Sequence, residues 1–106
     1  MNTALITSLR KQLDGPRDGA MLRFALGNAL LQSGDAGAAV ESARAALEFD
    51  AGYTAAWKLL GKALTEAGDN PAAVDAYRKG IEAAEAGGDI QAGKEMQVFL
   101  KRLERA

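Results

Sequence analysis

The chain has 106 residues, which is enough for one domain with a single modest core and too few for two. It contains no cysteine and no histidine, and this excludes disulfides, cysteine-bound zinc and the usual general base of catalysis. The 13 basic and 14 acidic residues give a net charge of -1, so no overall positive field favours nucleic acid or an anionic membrane.

The first element predicted along the chain is a short amphipathic helix within residues 1–16. Its apolar side chains recur at helical spacing before a Gly-Pro break, and they are Leu5, Ile6, Leu9 and Leu13. Polar residues interrupt this pattern and no small-residue cleavage site follows, so we expect no signal peptide. No stretch reaches the roughly 20 apolar residues that a membrane-spanning helix needs. The sequence therefore predicts a soluble, cytoplasmic protein.

The centre of the chain consists of two similar units offset by 34 residues, at 20–53 and 54–87. An ungapped comparison of the two units gives eleven identities. Beyond the alanines, these include Leu26 and Leu60, Gly27 and Gly61, Gly34 and Gly68, and Asp35 and Asp69. A fixed period of this length indicates a supersecondary unit that is repeated and stacked.

Each unit is predicted to contain two helices joined by a tight turn at the Gly-Asp pair, because apolar residues recur at helical spacing on both sides of it. Gly34 and Gly68 suit the left-handed conformation that often ends a helix, and Asp35 can cap the helix that follows. In the second unit, Asn70 offers a capping side chain and Pro71 suits the first helical position.

Two glycines lie inside predicted helices at the same repeat position, Gly27 and Gly61. Glycine in a helix interior costs about 1 kcal/mol relative to alanine. Because this cost recurs at one repeat position, it indicates a packing reason. We expect a neighbouring helix to approach the backbone closely at both glycines.

A last helix is predicted over residues 89–105, after a loop at Gly87-Gly88 and with Asp89 as its cap. One face carries an apolar stripe and the other face is charged. The stripe consists of Met96, Phe99, Leu100 and Leu103, and the charged face of Lys94, Lys101, Arg102 and Arg105. Terminal units of a stacked array need a polar outer surface, so this helix is predicted to close the array.

These features resemble the tetratricopeptide repeat family, whose unit also has 34 residues. The second unit matches the family pattern at Trp57, Leu60, Gly61, Ala73 and Tyr77. The first unit keeps Leu26, Gly27, Ala39 and Ala46. It departs from the pattern with Arg23 at the tryptophan position and Ala43 at an aromatic position, and neither unit has the late proline. The resemblance implies that the matching residues pack in the core and do not form a site.

The resemblance also implies an all-α fold, in which antiparallel helix-turn-helix repeats stack as a short right-handed α-solenoid of about five helices. Residues 1–106 would form a single domain. Its parts would be an amino-terminal half-repeat at 1–16, repeats at 20–53 and 54–87, and a carboxyl-terminal capping helix at 89–105.

In repeats that resemble these, positions two, five, nine and twelve of each unit line a concave groove that binds partners. Carried over, these positions are Met21, Phe24, Asn28, Leu31, Ala55, Lys58, Lys62 and Thr65. Met21, Phe24 and Leu31 form an apolar strip, and Lys58 and Lys62 could bind a carboxylate. A short acidic and apolar peptide would therefore suit this face, bound as a helix or as an extended strand. Two alternatives stay open, namely that the last helix covers the strip and that the lysines are solvated.

Some members of the family grip the carboxyl-terminal tails of chaperones with lysines, asparagines and an arginine on successive first helices. Of the matching positions here, only Asn28 carries the expected residue. Phe24 and Leu59 occupy two of the others, and Asp89 and Gly93 occupy those of the last helix. We therefore predict that this chain lacks the chaperone clamp.

The sequence thus predicts a non-enzymatic adaptor that binds a protein or peptide segment in the concave groove. We expect no metal, no cofactor, no nucleic acid and no membrane among its partners, because neither the residue types nor the charge provide for them. The alternative function is self-assembly into a homodimer or a larger complex, through the apolar strip or the last helix.

Overall fold

The computed structural model describes residues 3–105, and this part of the chain consists of six α-helices without a strand. In chain order they are α1 (Thr3–Arg10), α2 (Ala20–Gln32), α3 (Ala36–Phe49), α4 (Thr54–Glu66), α5 (Asn70–Gly87) and α6 (Ile90–Arg105). The all-α class is confirmed. The described chain has six helices, where the count given from the sequence was about five; they are the amino-terminal helix, two helices in each unit and the last helix.

Each helix packs on the next one in sequence, which gives two layers. In addition, α4 lies against both α2 and α6, so these three helices form one row. The row contains the first helix of each unit, and α6 takes the place of the first helix of a third unit. The result is a solenoid of stacked helix-turn-helix repeats, as the sequence predicts.

The amino-terminal helix covers one end of the core. Of its predicted apolar residues, Ile6 is buried against α2, Leu9 and Leu13 are partly buried in the same cluster, and Leu5 is exposed. The helical pattern therefore identifies the packing face of α1, although the helix ends at Arg10 and turns follow it.

Three helices begin after an aspartate whose carboxylate accepts a backbone N–H three residues further on. The pairs are Asp35 with Ala38, Asp69 with Ala72, and Asp89 with Ala92, each at 3.2 Å. The predicted caps at Asp35 and Asp89 are confirmed. The predicted cap at Asn70 is wrong, because Asn70 is already the first residue of α5 and Asp69 caps that helix. The carboxylate of Asp69 satisfies an N–H group that the first helical turn leaves without an intrahelical partner.

Three helices are followed by a glycine, and the last of these helices, α5, is longer than the repeat period predicts. Gly34, Gly68 and Gly88 adopt the left-handed conformation, with φ of 91°, 85° and 74°. Gly87, predicted to be in a loop, is instead the last residue of α5, which has 18 residues where α3 has 14. Helix α4 begins 34 residues after α2, but α6 begins two residues later than this period would place it.

Neighbouring helices approach the backbone closely at Gly61 and Gly27, as predicted. A Cβ atom added to Gly61 would overlap the ring of Tyr77, which is 2% exposed. A Cβ added to Gly27 would lie 2.9 Å from a terminal methyl group of Leu59, which can move aside. The close approach is therefore confirmed at both glycines, and it is tighter in the second unit.

A third glycine, Gly80, lets three helices meet. An added Cβ there would lie 2.7 Å from Cβ of Trp57 on α4 and 2.5 Å from Sδ of Met96 on α6. Met96 is fully buried. The predicted core residues are buried too, except Trp57, which is only partly buried; the buried ones are Leu26, Ala39, Leu60, Ala73 and Tyr77.

Trp57 and Arg23 occupy the same repeat position, and each is hydrogen-bonded to the loop that precedes its own helix. Trp57 donates its indole N–H to the carbonyl oxygen of Ala51 at 2.8 Å. Arg23 donates from Nε and Nη2 to the two carboxylate oxygens of Asp18, at 2.9 and 2.6 Å. The guanidinium of Arg23 and the backbone N–H of Asp14 hold the pKa of the Asp18 carboxyl well below its usual range. A charged pair thus does in the first unit what tryptophan does in the second.

We expect Gly61→Ala to lower the free energy of unfolding by about 1–3 kcal/mol in urea denaturation, because the buried Tyr77 ring cannot make room for a methyl group. The matched control is Gly37→Ala in α3, where nothing lies within 4 Å of an added Cβ. This control should gain up to about 1 kcal/mol from the reduced freedom of the unfolded chain. Equal stability of the two variants would contradict the close approach.

We expect the Asp18–Arg23 pair to make stability sensitive to acid. The folded pKa of Asp18 is lowered, so the pair stabilises the fold above the unfolded pKa of about 3.9, and this contribution is lost as the pH falls through and below that value. Asp18→Asn should therefore lower the melting temperature at neutral pH, and its difference from the wild type should shrink in acid. Asp75→Asn, which breaks an exposed pair with Lys79, is the control with little expected change. A difference that stays constant with pH would refute this account.

Candidate partner-binding groove

Two cavities lie side by side on the face formed by α2, α4 and α6. The first, which we call the α2–α4 cavity, has a volume of about 410 Å³. The second, the α4–α6 cavity, has a volume of about 420 Å³. Lys62 and Glu66, one turn apart on α4, line both cavities. We refer to the two cavities together as the groove.

The structure brings most of the predicted site residues together in this groove. Those that line the α2–α4 cavity are Phe24, Asn28, Leu31, Ala55, Lys58 and Lys62. Thr65 lines the α4–α6 cavity instead. Met21, in the first turn of α2, lines neither cavity and is 78% exposed. Their part in binding a partner stays a prediction.

Each cavity contains an aromatic ring that is held by a second ring behind it. Phe24 packs on Tyr53 with ring centroids 5.3 Å apart, and Phe99 stacks on Tyr77 with centroids 5.7 Å apart. Both phenylalanines are partly buried, so each presents part of its ring to its cavity. Aromatic rings in such pairs are fixed apolar surfaces against which a partner's side chain can pack.

Helix α6 does not cover the apolar strip of the first unit, because no contact between α2 and α6 occurs within residues 3–105. It instead contacts the lysines. Lys58 donates to a carboxylate oxygen of Glu95 on α6 at 2.8 Å, and Lys62 lies 5.2 Å from the centroid of the Phe99 ring. The alternative of a covered strip is therefore wrong. Lys58 is bound to Glu95 and is not simply solvated, whereas Lys62 stays exposed to solvent beside the Phe99 ring.

The ion pair between α4 and α6 changes the electrostatics of the predicted lysine pair. Hydrogen bonds from Lys58 and from the side chain of Gln91 lower the pKa of Glu95, and the charge of Lys62 contributes to this shift. The ammonium of Lys58 is thus neutralised within the chain. The sequence treats Lys58 and Lys62 as an equivalent pair, but the structure distinguishes them. Of the two, Lys58 has an ion-pair partner within the described part of the chain and Lys62 has none.

Five of the seven residues that line the α4–α6 cavity were not among the predicted site residues, namely Glu66, Tyr77, Phe99, Arg102 and Leu103. Phe99 was predicted on the apolar stripe of the last helix and Arg102 on its charged outer face, but both line this cavity. The guanidinium carbon of Arg102 lies 5.7 Å from the centroid of the Phe99 ring. The assignment of Arg102 to the outer face is therefore wrong. The spacing of Phe99 and Arg102, three residues apart on one helix, is the signal that could have paired them.

The later start of α6 also moves the positions that the chaperone clamp would use. In the structure, the residues equivalent to those clamp positions are Gln91 and Glu95, two residues beyond Asp89 and Gly93. Neither residue is a cation, so these positions lack the basic side chains that would bind the carboxylates of a chaperone tail. The prediction that the clamp is missing thus gains a physical reason.

Residues 3–105 contain no group of three or more acidic side chains that could hold a metal ion. Within the same part of the chain, every helix is too short or too polar to cross a membrane.

The Tetratricopeptide repeat family pattern matches residues 3–54 and again 24–89, which together cover most of the chain. The chain belongs to the tetratricopeptide repeat family. A TPR repeat-containing protein of Pseudomonas aeruginosa is 47% identical over 102 residues, which are 96% of this chain and 97% of that protein. Tetratricopeptide repeat proteins generally mediate interactions between proteins and generally have no catalytic activity.

Solved structures agree with the fold. The solution structure of a Bordetella parapertussis protein has a TM-score of 0.84 and 43% identity, covering 97% of this chain and 90% of that one. The Sgt2 TPR domain from Aspergillus fumigatus has a TM-score of 0.73 and 26% identity, covering 95% of this chain and 69% of that one. A tetratricopeptide repeat domain from Salinibacter ruber has a TM-score of 0.74 and 27% identity, covering 80% of this chain and 96% of that one.

We expect Lys58→Met to raise the pKa of Glu95 toward the ordinary glutamate value of about 4.3, because the variant lacks the ammonium that stabilises the carboxylate. Titration of side-chain carboxyl carbons by NMR measures this directly. Lys94→Met removes a charge beside Glu95 in sequence but on the outer side of α6, so it is the control with a smaller effect. An unchanged Glu95 pKa in Lys58→Met would disprove the ion pair in solution.

Proposed function

We propose that this tetratricopeptide repeat protein is an adaptor without catalytic activity, which binds a short segment of another protein along the groove. The observation that supports this most is that the two cavities share Lys62 and Glu66. A partner segment can therefore pass from one cavity to the other without leaving the surface. The cytoplasmic location expected from the sequence is part of the proposal and stays a prediction.

The chemistry of the groove suits a segment that is apolar at two points and polar between them. Phe24 and Phe99 give each cavity an apolar wall, and volumes of about 410 and 420 Å³ lie within the range of ligand-binding pockets. The exposed amide of Asn28 provides hydrogen-bonding groups in the α2–α4 cavity, whereas the Thr65 hydroxyl already donates to the carbonyl oxygen of Gly61. Such a combination of apolar anchors and a few polar groups is typical of grooves that recognise peptides.

The spacing of the cavities limits how a segment can lie. They flank α4, and neighbouring packed helices are about 8–10 Å apart, so the cavities are separated by about this distance. An extended polyproline-like chain covers about 9 Å in three residues, whereas a helix needs about six or seven residues. We therefore expect apolar side chains three residues apart in an extended segment, or about seven apart in a helical one.

A catalytic role is not proposed, because acid–base catalysis needs paired or strongly perturbed groups within a pocket. Among the described residues that line the two cavities, Glu66 is the single carboxylate. The tyrosine in the groove, Tyr77, has its pKa raised to about 12 by burial, so it stays protonated at neutral pH.

Self-association is the second candidate function, because Ile90 and Val98 are 71% and 49% exposed on α6. These residues share a helical face with Lys94, Lys101 and Arg105. Two copies meeting symmetrically through this face would bring like charges together, which disfavours a homodimer. Light scattering over a range of concentrations distinguishes the two functions, and we expect a monomer.

We expect Asn28→Trp to block the groove, since Asn28 is exposed and lines the α2–α4 cavity, so that a larger side chain there fills the cavity without entering the core. Peptides are first selected on the immobilised wild-type protein from a random 12-residue phage library. Their affinity, measured by fluorescence anisotropy, should fall at least about tenfold in the variant.

The matched control is Gln97→Trp, which makes a similar change on the outer side of α6. We expect this variant to bind the selected peptides as the wild type does. Failure to enrich any peptide, or undiminished binding to Asn28→Trp, would contradict the proposed function.

A further inference from the structure

Two cations in the α4–α6 cavity lie against one aromatic ring. Nζ of Lys62 is 5.2 Å and the guanidinium carbon of Arg102 is 5.7 Å from the centroid of Phe99. The cations come from different helices, α4 and α6, and the ring that both contact is held from behind by Tyr77. The two positive charges are thus placed in one cavity by the packing of the fold.

Neither cation has an ion-pair partner within residues 3–105, although five ion pairs occur there. The acidic groups near them are Glu66, which lines the same cavity, and Glu95, whose carboxylate is bound by Lys58. Lys58 and Glu95 neutralise each other. The two positive charges of Lys62 and Arg102 then face one negative charge, that of Glu66, which leaves one positive charge in excess. The cavity therefore carries a local positive charge in a chain whose overall charge is -1.

We propose that the α4–α6 cavity is a carboxylate-binding subsite, which takes the side chain of an aspartate or glutamate from the bound segment. Lys62 and Arg102 would bind the carboxylate, and the Phe99 ring would pack against the methylene groups that carry it. Charge-assisted hydrogen bonds to a carboxylate are stronger than the cation–π contacts that hold the two cations at present. The exchange of partners is therefore favourable, and both cations are already close to the positions that they need.

The position of Lys62 favours an internal side chain over a terminal carboxylate. Lys62 lines both cavities, so a carboxylate bound there has room for the segment to continue into the α2–α4 cavity and past α6. This subsite differs from the lysine pair predicted from sequence, since Lys58 is occupied by Glu95 and Arg102 takes its place. The inference rests on the proposed function, because it identifies what one half of the groove recognises.

The test uses the full chain and phage-displayed 12-residue peptides whose carboxyl ends are fused to the coat protein, so that no free carboxyl terminus is offered. We expect the selected peptides to share an aspartate or glutamate at a fixed distance from an apolar residue. Synthetic copies with amidated carboxyl ends are then measured against the double variant Lys62→Glu, Arg102→Glu. Affinity should fall at least tenfold, and a peptide with lysine in place of its acidic residue should recover it.

The matched control is Lys94→Glu with Arg105→Glu, which makes the same charge change at two exposed residues of α6 that line neither cavity of the groove. It should bind the acidic peptides with less than a threefold loss. If the first double variant does not fold, as judged by circular dichroism, Lys62→Met with Arg102→Met serves instead, with the same expected loss but without recovery by lysine.

The possible outcomes distinguish a failure of the proposed carboxylate subsite from a failure of the proposed function. Selected peptides that lack acidic residues, or that bind all variants equally while Asn28→Trp abolishes binding, would overturn the subsite and leave the proposed function standing. Synthetic peptides that bind only when made with a free carboxyl terminus, and not in the amidated form, would also overturn the proposal of a side-chain site. Failure to select any peptide would count against the proposed function itself.

Discussion

The distance between α4 and α5 depends on the absence of a side chain at Gly61. The ring of Tyr77 occupies the space that a Cβ would need, so the two helices pack more closely than larger residues would permit. Gly80 has the same effect between α5 and its neighbours on either side, where Trp57 and Met96 approach its backbone. Since α5 is the helix on which both α4 and α6 rest, these two glycines determine how far apart the walls of the α4–α6 cavity stand.

The same packing determines which side chains α6 turns toward α4. Helix α5 is longer than α3, so α6 starts two residues after the position that a strict period would give it. Two residues correspond to a rotation of about 200° around a helix axis, which exchanges inner and outer faces. Met96 is consequently buried against Gly80, Glu95 faces Lys58, and Arg102 lies over Phe99. The charge pattern of the groove follows from the length of one helix.

This dependence explains what the sequence could and could not predict. The period, the left-handed glycines and the cap at Asp35 are local features, and the chain carries each of them within a few residues. The groove positions of α2 and α4 follow from the intact period between the two units. In contrast, the partners of Lys58 and Lys62 belong to a helix more than thirty residues away, and their alignment depends on where α5 ends. The predicted cap at Asn70 is a different, local error, because Asp69 and Asn70 are adjacent polar residues that compete for one position.

The last helix therefore has two roles that conflict in a simple repeat array. As a terminal element it must keep a polar outer surface, which Lys94 and Lys101 provide, and as a wall of the groove it must present Phe99 and Arg102 inward. In α6 the groove side carries the apolar Phe99 together with Arg102, and the outer side carries mainly polar residues. The inner cation, Arg102, lies over an aromatic ring but stays exposed, so a carboxylate can reach it without the cation first being uncovered.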